Sequence, residues 1–348
     1  MGYPRLLFIL KQKQGEGLWV DKSSRKPGIH NSINSLVYAL KSNGIDATLV
    51  DVADRNGIDA VVREHKPDIV IIETYWVTPG KFQLLKLLHP NVHWIVRNHS
   101  EIPFLAEEAS AGVWNCEYLK MGVEVSSVST RTVNDLMNLQ MNLKVDSSLV
   151  SYLPNVYLGD GGFLNKVKEV PTDEIHIGCF GALRPMKNHF QQAMASIGYA
   201  ASTGRKLFFH INGTRVESHG ASPLKNLRGT FARLYNAELV EHPWMEKDQF
   251  YKLLQERIDV LLQCSLTESF NIVAADAVLC GVPVISSGEV RWLSDVFHCD
   301  PTDSTSIISH LSLLFSSDRK HLENYCDAQY SNLMNYNERA IQAWLERF

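Results

Sequence analysis

The run Ile69-Val70-Ile71-Ile72 is apolar at both phases of a two-residue alternation, so as a strand it needs cover on both faces of its sheet. That demand describes a parallel sheet with helices above and below, and the rest of the chain agrees with it. Apolar strand segments at Arg5–Leu10, Ala47–Val52, Asp68–Glu73, Val92–Arg97 and Val125–Val128 alternate with helical patterns at Ile29–Ser42, Ile58–Glu64, Phe82–Leu88, Ile102–Trp114 and from Thr130 to about Gln140. Val150–Leu153 closes this series, and Tyr157–Thr172, with Gly159, Gly161, Gly162 and Pro171, reads as a linker. The rhythm restarts with strands Ile175–Phe180, Lys206–Ile211, Glu238–Glu241, Asp259–Cys264 and Val282–Ser286. Helices Lys187–Ser202, Leu224–Leu234, Lys247–Gln255 and Asn271–Cys280 lie between them, and helical periodicity runs from about Ser304 to the end. A length of 348 residues also favours two domains. The expected fold is α/β: two Rossmann-like doubly wound domains, over 1–158 and 172–334, facing a central cleft.

Composition narrows the function. Lys and Arg number 34 against 38 Asp and Glu, a net charge of −4, which excludes a whole-surface nucleic-acid polyelectrolyte but not a local basic groove. The six cysteines include no Cys-x2-Cys pair, so a reducing compartment with no disulfide framework is expected. Leu6–Leu10 is too short for a signal-peptide core, and no apolar run approaches the length of a membrane span. A cytoplasmic protein is expected, with its oligomeric state unreadable.

Two stretches carry chemistry. In Leu266-Thr-Glu268-Ser269-Phe270-Asn271, a turn after a strand leads into an apolar helix interrupted by one carboxylate, Asp276. The first N–H groups of such a helix can hold an anion, Glu268 can accept from hydroxyls beside it, and ribose hydroxyls suit Asp276. The bland alternative puts Asp276 on a solvated stripe and leaves Glu268 to favour the helix dipole. In Gly178-Cys-Phe-Gly181-Ala-Leu-Arg184-Pro-Met-Lys187-Asn188, Gly181 allows close backbone approach, and Arg184 and Lys187 precede a helix. This suits a diphosphate clamp, the alternative being two exposed basic residues in a loop.

Together these stretches resemble the Glu-x7-Glu signature of retaining glycosyltransferases with the B-type, two-Rossmann fold. Glu268-Ser-Phe270, Asp276-Ala and Gly281-Val-Pro283-Val match the pattern, with Asn271 where the family has Gly and Asp276 where it has the second Glu. The resemblance implies that Glu268 contacts the donor sugar, Asp276 the nucleotide ribose, and Lys187 and Arg184 the diphosphate. Ala182 stands where the family's Arg is usual, two residues before Arg184. The matched span is about Ile177–Ile285; the first half resembles the family by architecture only. The terminal helix, 335–348, would pack back on the first domain.

The resemblance also places His99, in Val96-Arg97-Asn98-His99-Ser100-Glu101, as a cleft residue that holds a sugar hydroxyl or orients the acceptor, with Glu101 a weaker candidate base. The alternative is a helix-capping loop with a structural histidine. Asn212, ending a strand, is a candidate to line the nucleotide site or is a turn residue. The loop after the first strand carries Lys11, Lys13, Lys22, Arg25 and Lys26 against Glu16 and Asp21, with Trp19 among them. It reads either as a solvated loop or as the grip on an anionic acceptor, including a nucleic-acid strand. A further similarity to bacteriophage-encoded glycosyltransferases points to hydroxymethylated DNA bases as acceptor, hence to DNA modification in a host cytoplasm. The reaction so implied moves a hexose or pentose from a nucleoside diphosphate sugar such as a UDP-sugar, with no metal and no other cofactor, and substitution of Lys187 should act on turnover far more than on stability. Alternatives are a saccharide or lipid acceptor, a sugar-nucleotide epimerase of the same fold, and an inert binding module.

Overall fold

Each half of the chain builds one six-stranded sheet in which all neighbouring strands are parallel. The computed structural model describes residues 3–11, 28–108, 110–159, 168–170, 172–217, 219–316 and 318–348. The first unit comprises Met1–Leu158 and Asn337–Phe348, the second Gly159–Tyr336.

In the first unit the order along the chain is β1 (Leu6–Lys11), α1 (Gly28–Ser42), β2 (Ala47–Val52), α2 (Ile58–His65), β3 (Ile69–Glu73), α3 (Pro79–Leu88), β4 (His93–Asn98), α4 (Ile102–Leu105), α5 (Ala111–Lys120), β5 (Glu124–Ser127), α6 (Thr130–Leu143) and β6 (Val150–Tyr152). The sheet runs β2-β1-β3-β4-β5-β6. Val70, Ile71 and Ile72 are wholly buried, as a strand apolar on both faces requires. The helix expected over Ile102–Trp114 is two helices. After α4 the chain tightens into i→i+3 bonds, Glu107 to Phe104 and Glu108 to Leu105, and Ser110 takes a non-helical conformation (φ −132°, ψ 0°) before α5.

The second unit contains β7 (Glu174–Gly178), α7 (His189–Thr203), β8 (Lys206–Asn212), α8 (Ala221–Phe231), β9 (Ala237–His242), α9 (Lys247–Arg257), β10 (Val260–Gln263), α10 (Ile272–Leu279), β11 (Val284–Ser287), β12 (His298–Cys299), α11 (Ser304–Ser316) and α12 (Arg319–Arg347), the last running on into residues of the first unit. Its sheet order is β12-β11-β10-β7-β8-β9. The order therefore reverses between β7 and β10. At such a reversal the connections leave in opposite directions and open a crevice at the strand carboxyl ends. In the first sheet the corresponding reversal lies between β1 and β3. A large apolar cluster in each unit holds Ile9, Ile72, Trp94 and Val125 in the first and Ile177, Phe209, Leu262 and Ile285 in the second. Among the described residues no helix is long and apolar enough to cross a membrane.

The last turns of α12 pack on the face of the first sheet opposite that cluster, where Phe8 points. The Asn337 side chain brackets Tyr157, its Oδ1 accepting from Tyr157 N and its Nδ2 donating to Tyr157 O, each at 2.9 Å. Trp344 is fully buried, its ring 5.7 Å from Phe8, and its Nε1 donates to Pro154 O at 2.9 Å. Trp344→Ala removes that payload and leaves a cavity, so urea unfolding should show a loss of about 3–5 kcal/mol from the first unit. A loss below roughly 0.5 kcal/mol, the range of surface substitutions, would show that these turns do not pack on that face.

Candidate active site

The switch point of the second sheet collects the polar residues that the apolar strands cannot carry. After β7 the chain passes through Gly181, whose φ of +114° an L side chain rarely adopts. A Cβ there would meet nothing closer than 3.9 Å, so conformation rather than crowding requires the glycine. The Gly181 N–H donates to Asn212 Oδ1 at 2.9 Å, and Asn212 Nδ2 donates to Pro243 O at 3.4 Å. Asn212 is thus a buried brace for the Gly181 turn. Pro185–Lys187 forms a single 3-10 turn, and α7 starts only at His189, because Asn188 is left-handed (φ +58°) and breaks the helix that the sequence suggested from Lys187.

That turn carries the Lys187 ammonium onto the Glu268 carboxylate, where Nζ donates to Oε1. Both side chains are at most 10% exposed. Glu268 comes from the loop after β10, and backbone bonds fix the two loops together: Leu266 N donates to Met186 O at 2.9 Å, and Asn188 Nδ2 to Cys264 O at 3.1 Å. Arg184 is half-buried in extended backbone beside this turn.

Asn271 meets the steric demand of the turn it occupies. Its backbone is left-handed (φ 67°, ψ 82°), a region open to Gly and, among side-chain-bearing residues, most readily to Asn. Its Oδ1 accepts from Ala274 N at 3.0 Å and caps α10, while its Nδ2 donates to Gln263 Oε1 at 2.9 Å. One N–H that the sequence left open for an anion is therefore taken by this cap. Phe270 is buried, its ring 6.0 Å from Trp292 and 5.3 Å from Tyr336; Ser269 beside it is half-buried. Asp276 lies on no solvated stripe: it is buried and accepts from the Tyr251 hydroxyl of α9 at 2.9 Å.

Around this edge sit buried polar atoms with no hydrogen-bond partner among the described residues: Ser265 Oγ, Thr267 Oγ1, Ser286 Oγ and both ring nitrogens of His189. Such atoms are rare and mark strained or ligand-facing places. Burial, reinforced by Lys187 and Arg184, pushes His189 down to about 3, so its ring is neutral at ordinary pH.

At the switch point of the first sheet, Glu73 ends β3 opposite Arg97 of β4. Both are wholly buried, and Arg97 Nη1 lies 3.2 Å from each Glu73 oxygen. His99 Nε2 sits 2.5 Å from Glu73 Oε2. Burial pushes the Glu73 carboxyl up, but Arg97 and His99 outweigh it and hold it below its ordinary value. His99 is lowered by burial and by Arg97, against the pull of Glu73. Thr74, next in the chain, is left-handed (φ 69°), which strains a β-branched residue. The sequence singled out His99 but missed Glu73 and Arg97, whose pairing depends on strand register. Glu101 is buried and accepts from Ser129 Oγ and Thr132 Oγ1 at 2.5 and 2.6 Å, tying it to the start of α6. Lys11 is exposed at the end of β1, while Lys13, Trp19, Arg25 and Lys26 lie outside the described residues.

No protein-family model matches the sequence, and no curated protein does. Solved structures match its fold over nearly the whole chain. They include the N-terminal domain of Candida albicans trehalose-6-phosphate phosphatase (TM-score 0.70, 12% identity, 98% of this chain and 95% of that one). A UDP-forming α,α-trehalose-phosphate synthase from Burkholderia xenovorans matches with TM-score 0.69 and 10% identity, over 99% and 98%. Sucrose-phosphate synthase from Thermosynechococcus elongatus matches with TM-score 0.66 and 13% identity, over 99% and 98%. The fold is that of B-type glycosyltransferases: two parallel six-stranded sheets clothed in helices.

The buried pair changes what substitution of Lys187 should do. Lys187→Met strands a buried carboxylate, which destabilises by about 3–5 kcal/mol. The double variant Lys187→Met/Glu268→Gln should recover most of this in urea melts; equal losses in single and double variants would show that the pair is not coupled. Acid should weaken the second unit for a separate reason. Unfolded histidines take up a proton near pH 6.5, whereas His189 and His210 resist it until about 3. From pH 6.5 down to about 3, each then subtracts roughly 1 kcal/mol of stability per pH unit. A melting temperature flat between pH 6 and 4 would contradict the buried neutral rings.

Proposed function

We propose that the protein is a nucleotide-sugar-dependent glycosyltransferase whose second unit holds the donor. The observation that carries this is the meeting of Lys187 and Glu268 at the carboxyl edge of the sheet, where its strand order reverses, with Asp276 one helix turn further on. A cation beside a left-handed glycine turn suits a diphosphate, and a carboxylate next to it suits sugar hydroxyls. A donor diphosphate would draw the ammonium of Lys187 to itself and release Glu268 to accept from the sugar. Charge developing on the leaving diphosphate is then met by Lys187 and Arg184, and no metal is invoked. Asp276, already an acceptor to Tyr251, has lone pairs for ribose hydroxyls. The UDP-forming synthase among the structural matches supports a uridine nucleotide, and the signature around Glu268 supports retention of anomeric configuration.

The acceptor reading rests on sequence alone. Five basic residues against two acids over Lys11–Lys26, in a chain of net charge −4, favour an anionic acceptor, of which DNA with hydroxymethylated bases is the specific candidate. The test offers UDP-glucose and related donors with hydroxymethylcytosine DNA, hydroxymethyluracil DNA, phosphorylated sugars and lipids. Transfer to modified DNA, abolished by high salt, would support the reading; transfer only to sugars or lipids would remove DNA; conversion of the sugar nucleotide with no acceptor would make the protein an epimerase. Within the donor site, Glu268→Gln should lower transfer with nucleotide affinity nearly kept, and Asp276→Asn should weaken nucleotide binding itself. Equal losses of affinity for bare nucleoside diphosphate in calorimetry would refute that division.

A further inference from the structure

Three histidines cross the second sheet in a chain of ring-to-ring hydrogen bonds. His176 Nδ1 lies 2.9 Å from His210 Nε2, and His210 Nδ1 lies 2.9 Å from His242 Nε2. At the start of this ladder His176 Nε2 meets Glu174 Oε1 at 3.3 Å. The rings sit on β7, β8 and β9 and advance two residues per strand, so the ladder runs diagonally from the middle of β7 to the carboxyl end of β9.

The ladder fixes every tautomer in turn. Glu174 can only accept, so His176 donates through Nε2 and its Nδ1 is an acceptor. His210 must then donate through Nε2, and so must His242. Burial holds His210 down to about 3, with His242, His176, Lys168 and Arg257 adding to it, and burial also lowers His242; these two rings stay neutral at ordinary pH. The result is that Nδ1 of His242 carries a lone pair. It has no partner among the described residues, and the ring is half-exposed.

This lone pair lies on the edge that bears the donor site. Gly213 N donates to His242 O at 3.0 Å, one residue beyond the Asn212 that braces Gly181. The Phe180 ring is 5.9 Å from His242 and 5.1 Å from Phe250 of α9, and the next residue, Tyr251, holds Asp276. From the end of β7 to the end of β9 is two strand spacings, roughly 10 Å, a span that a nucleotide covers between its phosphate and its base edge.

We propose that His242 reads the nucleobase of the donor, accepting through Nδ1 from a ring N–H flanked by carbonyl, as in uracil, thymine or guanine, and excluding cytosine and adenine. Those two bases present a ring lone pair at the equivalent place, which meets the lone pair of Nδ1 with no proton between them. His176 and His210 are positioning residues: they set which nitrogen of His242 keeps its proton. This rests on the donor site proposed above, and the test separates the two.

Calorimetry of the wild-type protein with UDP, TDP, GDP, CDP, ADP and inorganic pyrophosphate is the experiment. UDP, TDP and GDP should bind about tenfold or more tightly than CDP and ADP, as one matched against one unmatched hydrogen bond implies. His242→Phe should erase that preference while pyrophosphate binds as before, and His176→Phe should weaken it without touching any ligand. Histidine ring ¹⁵N shifts should show all three rings protonated at Nε2. If all five nucleotides bind alike, or the preference survives His242→Phe, the base reading is wrong and the diphosphate site stands. If pyrophosphate and every nucleotide fail to bind, the donor site falls and the base reading with it.

Discussion

Both sheets are parallel and covered on both faces, and the placement of the two ion-paired clusters follows from that. A strand such as Ile69–Glu73 has no solvated side on which to carry chemistry, so charged and hydrogen-bonding side chains gather where strands end. Strand order then selects among the ends. In the second sheet the reversal between β7 and β10 brings Lys187 and Glu268 together; in the first, the reversal beside β3 brings in Glu73, joined by Arg97 and His99 of the neighbouring strand and its loop. One ion-paired cluster thus spans the reversal of its sheet, and the other lies on the strand pair beside the reversal of its own.

Both clusters bury charge, which is favourable only when charges are paired and further hydrogen-bonded. Arg97 meets that condition fully: besides Glu73 it donates to Leu153 O, Pro154 O and Asn155 Oδ1. The surroundings of Lys187–Glu268 do not, since side-chain atoms of Ser265, Thr267, Ser286 and His189 find no hydrogen-bond partner among the described residues. The contrast separates a cluster built to stay as it is from one that can exchange its internal pair for the charges of a ligand. It favours the donor site proposed for the second unit, while Glu73 stays hydrogen-bonded to His99.

Much of this was legible in the sequence. The strand–helix rhythm located the elements, and the stretches around Lys187 and Glu268 stood out because glycine turns and lone charges interrupt apolar runs. Register was not legible: nothing local in Glu73 or Arg97 says that they face one another across β3 and β4. Backbone handedness was legible only in part. Asn271 looked like a departure from a glycine pattern, whereas its left-handed conformation shows that it answers the same steric demand and adds a helix cap. The histidine ladder was invisible because its members are 34 and 32 residues apart and meet only through the diagonal stagger of parallel strands.

The central claim is that the carboxyl edge of the second sheet, at its reversal of strand order, is the nucleotide site. Hydrogen exchange of backbone amides, followed by mass spectrometry with and without saturating UDP, tests it most directly. Protection should concentrate in peptides covering 178–189 and 264–276, where the Gly181 turn and the cap of α10 would be ordered by the ligand. No protection there, or protection confined to peptides around Glu73 and His99, would contradict the account.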